Sequence, residues 1–281
     1  MRFTLQDDQL RPPRDFEALW TPLLRQLSDL SADHAVWKNL EAGLTGGGDV
    51  DFVAPRASWP VLEKVFLAWT LEQGIGPTIV CRHMPDTMFL LAVDRSEHDF
   101  LQLDVRSRLT FRGSTIFVPG DIPEAFQLDN EGLRSLRPGA EGLLKLVISG
   151  TGPGGRQKRK TLDKEKVAEL MSADPEGISY AATLCGPAGR AAVSGASAVV
   201  IGEWSRIFMV SVEAWFLAKG LGEPATVWRR VKARRAKKSC EVIQTSIAES
   251  RRIPGDVDEW LLRAERDHEV LSGAPNCKGS E

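Results

Sequence analysis

Apolar residues recur at spacings of three and four between Asp15 and Leu30, where Phe16, Leu19, Trp20, Leu23, Leu24 and Leu27 share one face of an expected helix. The period then changes. Ala35 to Leu40 reads as a short strand, Thr45 to Gly48 as a glycine-rich turn, and Val50 to Ala54 as a second strand. Ser58 is the expected N-cap of a helix from Trp59 to Gln73, with Pro60 in the first turn, where its missing N–H costs nothing. β-rich runs from Thr78 to Met84 and from Thr87 to Val93, split by Pro85-Asp86, predict a hairpin. Phe100 to Leu109 alternates, with Leu101, Leu103 and Val105 on one face and Gln102, Asp104 and Arg106 on the other. Ser114 to Val118 adds a strand before Pro119-Gly120.

Beyond that point the pattern turns helical. Helices are expected over Glu141–Ser149, Thr161–Met171, Gly177–Leu184, Val199–Leu217, Thr226–Ser250 and Asp256–Val270, interrupted by Gly186-Pro187 and by Gly189 to Gly195. Thr151 to Lys160 reads as a flexible basic loop. The expected class is α+β: a mixed sheet flanked by helices in residues 1–125, an all-helical domain in 126–272 and a loose tail over 273–281.

Composition narrows the field without naming a function. A hydrophobic fraction of 42% and a charged fraction of 26% belong to an ordinary globular chain. A formal net charge of -2 gives no global attraction to nucleic acid or to anionic membranes, so charge must be read locally. No stretch reaches the run of about 18 apolar residues that a membrane helix needs. The polar N-terminus, with Pro12 and Pro13, does not read as a secretory signal. Cys81, Cys185, Cys240 and Cys277 form no CxxC pair, so scattered reduced thiols in a cytoplasmic protein are expected rather than a zinc site.

The segment from Gly46 to Val53 carries the chemistry. On a strand, Asp49 and Asp51 project from one face about 7 Å apart, while Val50 and Phe52 point into a core. Two adjacent acids on one face repel, and a divalent cation with oxygen ligands offsets that cost. Asp104 sits on a later alternating strand between Leu103 and Val105. If the two strands are neighbours, three carboxylates converge on a site suited to a pair of magnesium or manganese ions. The bland alternative is a turn of glycines leading into a strand that is acidic by chance.

Asp49, Asp51 and Asp104, with the glycine turn before them, resemble the signature of the DNA polymerase beta-like nucleotidyltransferase superfamily: a small-residue pair, an acidic–apolar–acidic strand and a third acid on a later strand. The resemblance covers residues 34 to 120. It is nearest to a bacterial branch whose first strand reads apolar, Lys or Arg, Asn, here Val36-Trp37-Lys38-Asn39-Leu40. The resemblance implies template-independent transfer of a nucleotide from an NTP or dNTP to an acceptor hydroxyl, with two Mg2+ or Mn2+ ions on the three aspartates. Lys38 and Asn39 stand where the family has its Gly-Ser pair. Either they bind phosphate oxygens directly, through a charge and an amide, or the chain is a catalytically inactive module that binds nucleic acid or a protein partner. Lys145 is the expected counterpart of a lysine that reaches the triphosphate from the helical domain. Toxin–antitoxin and phage-defence roles occur in the superfamily.

Further candidates follow from the residues alone. Gly46, Gly47 and Gly48 either present backbone N–H groups to phosphates or simply turn the chain. Arg106, on the same strand face as Asp104, and Arg112 are candidate phosphate or base contacts, against a reading as surface charges. Trp228 to Lys238 holds seven basic residues in eleven positions. Arg229 to Lys238, with the basic loop Arg156 to Lys160, forms a candidate RNA or DNA backbone track, against a solvated helix. Arg263 and His268 match a short ribonuclease pattern that is too common to carry weight. The acceptor stays open between a nucleic-acid end, a protein hydroxyl and a small molecule such as an aminoglycoside.

Overall fold

The structure, a computed structural model, describes residues 15–46, 48–84, 86–94, 99–129, 132–158, 162–224, 228, 240–244 and 253–255. Helix α1 (Phe16–Asp29) opens it, its first turn capped by Asp15, whose carboxylate accepts from the Ala18 N–H at 2.9 Å. Strand β1 (Ala35–Lys38) and strand β2 (Val50–Val53) flank a short helix α2 (Leu40–Leu44). Helix α3 (Trp59–Glu72) is followed by β3 (Thr78–Met84), β4 (Thr87–Asp94) and β5 (Asp99–Arg106), and a small hairpin of β6 (Leu109–Phe111) and β7 (Ser114–Phe117) comes next. Strands β8 (Phe126–Leu128) and β9 (Arg134–Leu136) precede helices α4 (Pro138–Lys145), α5 (Lys164–Ala173), α6 (Pro175–Thr183), α7 (Gly189–Val200) and α8 (Arg206–Leu221). Strands β10 (Cys240–Gln244) and β11 (Ile253–Gly255) complete the described elements.

Among the described residues, one mixed sheet runs in the order β11-β10-β3-β4-β5-β2-β1-β9-β8. Alternation along its strands feeds two cores. Val36, Phe52, Leu90, Leu103 and Val105 point to one face, where Leu23, Leu24 and Leu27 of α1 and Leu62 and Phe66 of α3 cover them. Ala35, Trp37 and Val53 point to the other face and join the core under α4 to α8. Each fully buried side chain of this kind stabilises the fold by about 1.5–3 kcal/mol. The expected α+β class, a mixed sheet flanked by helices, is what the chain forms.

Several elements differ from expectation, each for a local reason. The first strand stops at Lys38, because Asn39 adopts a left-handed conformation (φ 58°) that turns the chain into α2. Ser58 makes no capping hydrogen bond; a single turn of tighter helix, Arg56–Ser58, leads directly into α3. Residues after 125 are not all helical: β9 runs parallel to β1, with Val36 opposite Ser135, and β10 runs antiparallel to β3. The expected boundary at 125 therefore cuts through the sheet. The helix expected over Val199–Leu217 is two helices, with Gly202 (φ 84°) between them. The glycines from 189 to 195 lie inside α7 because they permit close packing: a Cβ on Gly195 would stand 2.7 Å from the Met209 sulfur. The loop at Thr151–Lys160 is anchored over its described part, since Thr151 bridges Gln157 and the Gly155 carbonyl accepts from Trp204 Nε1 at 2.9 Å. The helix expected over Thr226–Ser250 contains strand β10 instead; most of it, the helix expected over Asp256–Val270 and the tail lie outside the described residues.

Candidate metal centre and its two clefts

Strand register assembles the site. Strand β2 pairs with β5 in parallel, setting Asp51 opposite Asp104, and pairs with β1 antiparallel, setting Lys38 opposite Asp51. A bulge between Val36 and Lys38 brings the lysine onto the acidic face. Asp49, Asp51 and Asp104 each offer a carboxylate oxygen, and these oxygens all lie within 4.8 Å of one another. The Asp51 side chain is fully buried and Asp104 nearly so. The hydrophobic neighbours Val50, Phe52, Leu103 and Val105 lock the two strands from behind.

Cations and amides surround the trio. Lys38 Nζ lies 2.9 Å from Asp51 Oδ2, and Arg106 Nε lies 3.7 Å from Asp51 Oδ1. The second distance is too long for a hydrogen bond, and both Asp51 Oδ1 and Arg106 Nε are buried without one. Trp37 lies beneath both cations, 5.0 Å from Lys38 and 5.9 Å from Arg106. Asn39 Nδ2 donates to Asp51 Oδ2 at 3.4 Å, and Gln102 Nε2 donates to Asp104 Oδ1 at 2.7 Å.

Burial pushes the Asp104 carboxyl up to about 7; the Gln102 hydrogen bond opposes this, while the charges of Asp51 and Asp49 add to it. Burial also raises Asp51, against the pull of Lys38. Carboxyls that resist ionisation where they stand, and an Asp51 oxygen left without a donor, fit a divalent cation with oxygen ligands. The donor set is all-oxygen and acidic, which suits Mg2+ or Mn2+ rather than zinc.

Two clefts flank the carboxylates. On one side, Lys38, Asn39, Lys145 and Lys166 line a cleft of about 270 Å³ between the sheet and helices α4 and α5. Lys145 pairs with Glu141 at 2.6 Å, and Glu141 accepts from the Asn39 backbone N–H at 3.1 Å, so α4 is tied to the end of β1. Lys166, held by Glu41 at 2.9 Å, has no counterpart in the sequence reading. Only the packing of α5 brings it near, and no spacing could have revealed it. On the other side, a cleft of about 360 Å³ is bordered by Phe16 and Trp20 of α1, by Gly46, Gly48 and Asp49, and by Gln102. The described glycines of the turn thus border this second cleft; Gly47 lies outside the described residues.

Arg112 has a different job from the one expected. It occupies a left-handed position (φ 51°) in the β6–β7 turn, pairs with Glu213 of α8 at 2.8 Å and donates to the Thr151 carbonyl at 3.2 Å. Its guanidinium joins the hairpin to the helices. Of the basic track, Arg156, Gln157 and Lys158 are described, while Arg229 to Lys238 and the Arg263–His268 pattern are outside the described residues. Cys81 and Cys185 are both buried, and burial pushes Cys185 up to about 12, which makes it an unreactive core residue. No protein-family model, no curated protein and no solved structure matches this chain, so the geometry of the three aspartates carries the functional reading.

Proposed function

We propose that this chain is a nucleotidyltransferase of the DNA polymerase beta-like type, moving a nucleotide from an NTP or dNTP to an acceptor hydroxyl. The supporting observation is the meeting of Asp49, Asp51 and Asp104 within 4.8 Å across two paired strands. These three residues would hold two Mg2+ or Mn2+ ions. Such ions, when bound, polarise the attacking oxygen and offset charge developing on the phosphorus and the departing pyrophosphate.

The chain's own residues supply the rest. Lys38, Asn39 and Lys145 line one cleft with Lys166, where ammonium groups and an amide bind triphosphate oxygens. Asp104, the member of the trio carried on β5, takes the acceptor proton. Gln102 holds the Asp104 carboxyl in place. Arg106 stands behind Asp51 and limits repulsion within the trio.

The test is incubation of purified protein with each labelled NTP and dNTP and with Mg2+ or Mn2+. Metal-dependent release of pyrophosphate that is lost in Asp49→Ala and in Asp104→Ala is the expected result. A rival reading draws on one contact: the Lys38 ammonium already neutralises Asp51 at 2.9 Å, as it would in an inactive module that binds a partner or nucleic acid. Pyrophosphate release at background in wild type and variants alike would favour that reading. No helix among the described residues is long and apolar enough to cross a membrane.

A further inference from the structure

The two clefts beside the aspartates differ in charge. The one toward α4 and α5 carries Lys38, Lys145 and Lys166. The one toward α1 has no lysine or arginine among its described lining residues; its polar groups are Asp49 and Gln102, and its wall is the Phe16 ring, half-buried against Gly46. Leu101 and Trp20 close the apolar side. A polynucleotide end brings phosphates that need basic partners. A flat apolar wall facing a carboxylate and an amide suits a compact ring that bears hydroxyls and no phosphate. The volume of about 360 Å³ lies at the small end of the range for ligand pockets.

We infer that the Phe16–Gln102 cleft is the acceptor subsite and that the acceptor is an uncharged glycosyl hydroxyl. This rests on the nucleotidyltransferase reading above. The ring stacks on Phe16, with a second hydroxyl on the Gln102 amide oxygen and the reacting hydroxyl directed past Asp49, which lines the cleft, toward Asp104, whose carboxylate lies within 4.8 Å of that of Asp49. That hydroxyl oxygen forms a bond to the α-phosphorus as the bond from that phosphorus to the bridging oxygen of pyrophosphate breaks. The proton passes to the Asp104 carboxylate, and pyrophosphate leaves with the electron pair of the broken bond. The products are a nucleotidyl-sugar phosphodiester and pyrophosphate, with no change of oxidation state.

Gly48 gives a clean probe. It borders the cleft, its φ is outside the left-handed region, and a Cβ there meets no atom of the described residues within 4 Å. Full-length protein is supplied with Mg2+, α-labelled NTPs and a panel of methyl glycosides of glucose, galactose, mannose and N-acetylglucosamine, alongside RNA and DNA oligonucleotides with free 3′ ends. The expected result is label on a glycoside. In Gly48→Leu and in Phe16→Ala the KM for that glycoside rises about tenfold or more, while the KM for the NTP shifts less than about twofold. Absence of label on every glycoside, with or without oligonucleotide labelling, overturns the inference, as does an unchanged glycoside KM in Gly48→Leu. Equilibrium binding of Mg2+-NTP separates the two levels. If wild type binds it and Asp104→Ala does not, a failed glycoside panel counts against the acceptor alone. If wild type does not bind it, the nucleotidyltransferase reading fails as well.

Discussion

Asp51 and Asp104 stand directly opposite one another across the parallel pairing of β2 and β5, one fully buried and the other nearly so. Neighbouring buried carboxylates are costly unless protonated, paired or metal-bound. Strand pairing this deep in a sheet holds them there.

That cost has a pH signature. Asp104 titrates near 7 in the folded chain, against an ordinary 3.8. A raised folded value means the favourable contribution of the protonated form is complete below the ordinary carboxylate range and is lost as pH rises through about 7. Asp51 shifts in the same direction. In chelator, the melting temperature of wild type relative to Asp104→Asn is therefore expected to fall as pH climbs from about 4 to about 8. Added Mg2+ at the upper end should recover most of the difference in wild type and little in the variant. A difference that stays constant across this range would refute the assignment.

Lys38 makes a second test. Removing one partner of a buried ion pair costs about 3–5 kcal/mol, and the partial exposure of Lys38 places its loss at the low end, about 3 kcal/mol. Lys38→Met should lower stability by that amount in chelator, as read by urea denaturation. Because a divalent ion supplies the missing positive charge, Mg2+ should stabilise this variant more than it stabilises wild type. Equal stabilisation of both would mean that the lysine and the ion do not share Asp51.

The joint between sheet and helices is tested at Gly139. A Cβ there would lie 1.8 Å from the Asp174 carbonyl and 2.8 Å from the Ile178 nitrogen, both backbone atoms that cannot rotate aside. Arg137 clamps the same corner through Asp174 at 2.6 Å and Glu176 at 2.7 Å. Gly139→Ala should cost about 3 kcal/mol or more by overpacking, measured as a shift in the denaturation midpoint. A cost within experimental error would show that α4 and α6 are not so closely apposed.

Arg112 and Glu213 should behave as a structural pair. A double-mutant cycle on Arg112→Ala and Glu213→Ala is expected to return a coupling energy of about 1–3 kcal/mol in folding stability. A value near zero would detach the hairpin from α8.

Much of the sheet could be read from the chain because its central strands alternate. Val50 and Phe52, like Leu101, Leu103 and Val105, declare the face that is buried, and the acids between them declare the other. The register that sets Asp51 against Asp104 is legible in the chain as a neighbourhood but not as a pairing, since nothing local specifies which strands adjoin. Strands β8 and β9, three residues each, are too short to show a period, and β9 gains its place by pairing with β1 across a hundred residues. Glycines carry an ambiguous signal, since the same residue serves turns and close contacts. Those in α7 are contact points rather than breakers, and Gly46 and Gly48 border the aromatic cleft rather than the lysine cleft. Lys166 and the half-buried Phe16 owe their positions beside the site to helix packing, which leaves no mark in residue spacing.

The most direct measurement is a Mn2+ titration followed by electron paramagnetic resonance, on wild type and on Asp51→Asn and Asp104→Asn, with a non-hydrolysable NTP present. Saturable binding of two ions per wild-type chain, with loss of at least one in each variant, is the expected result. Absence of saturable binding in wild type, or identical binding in all three proteins, would contradict it.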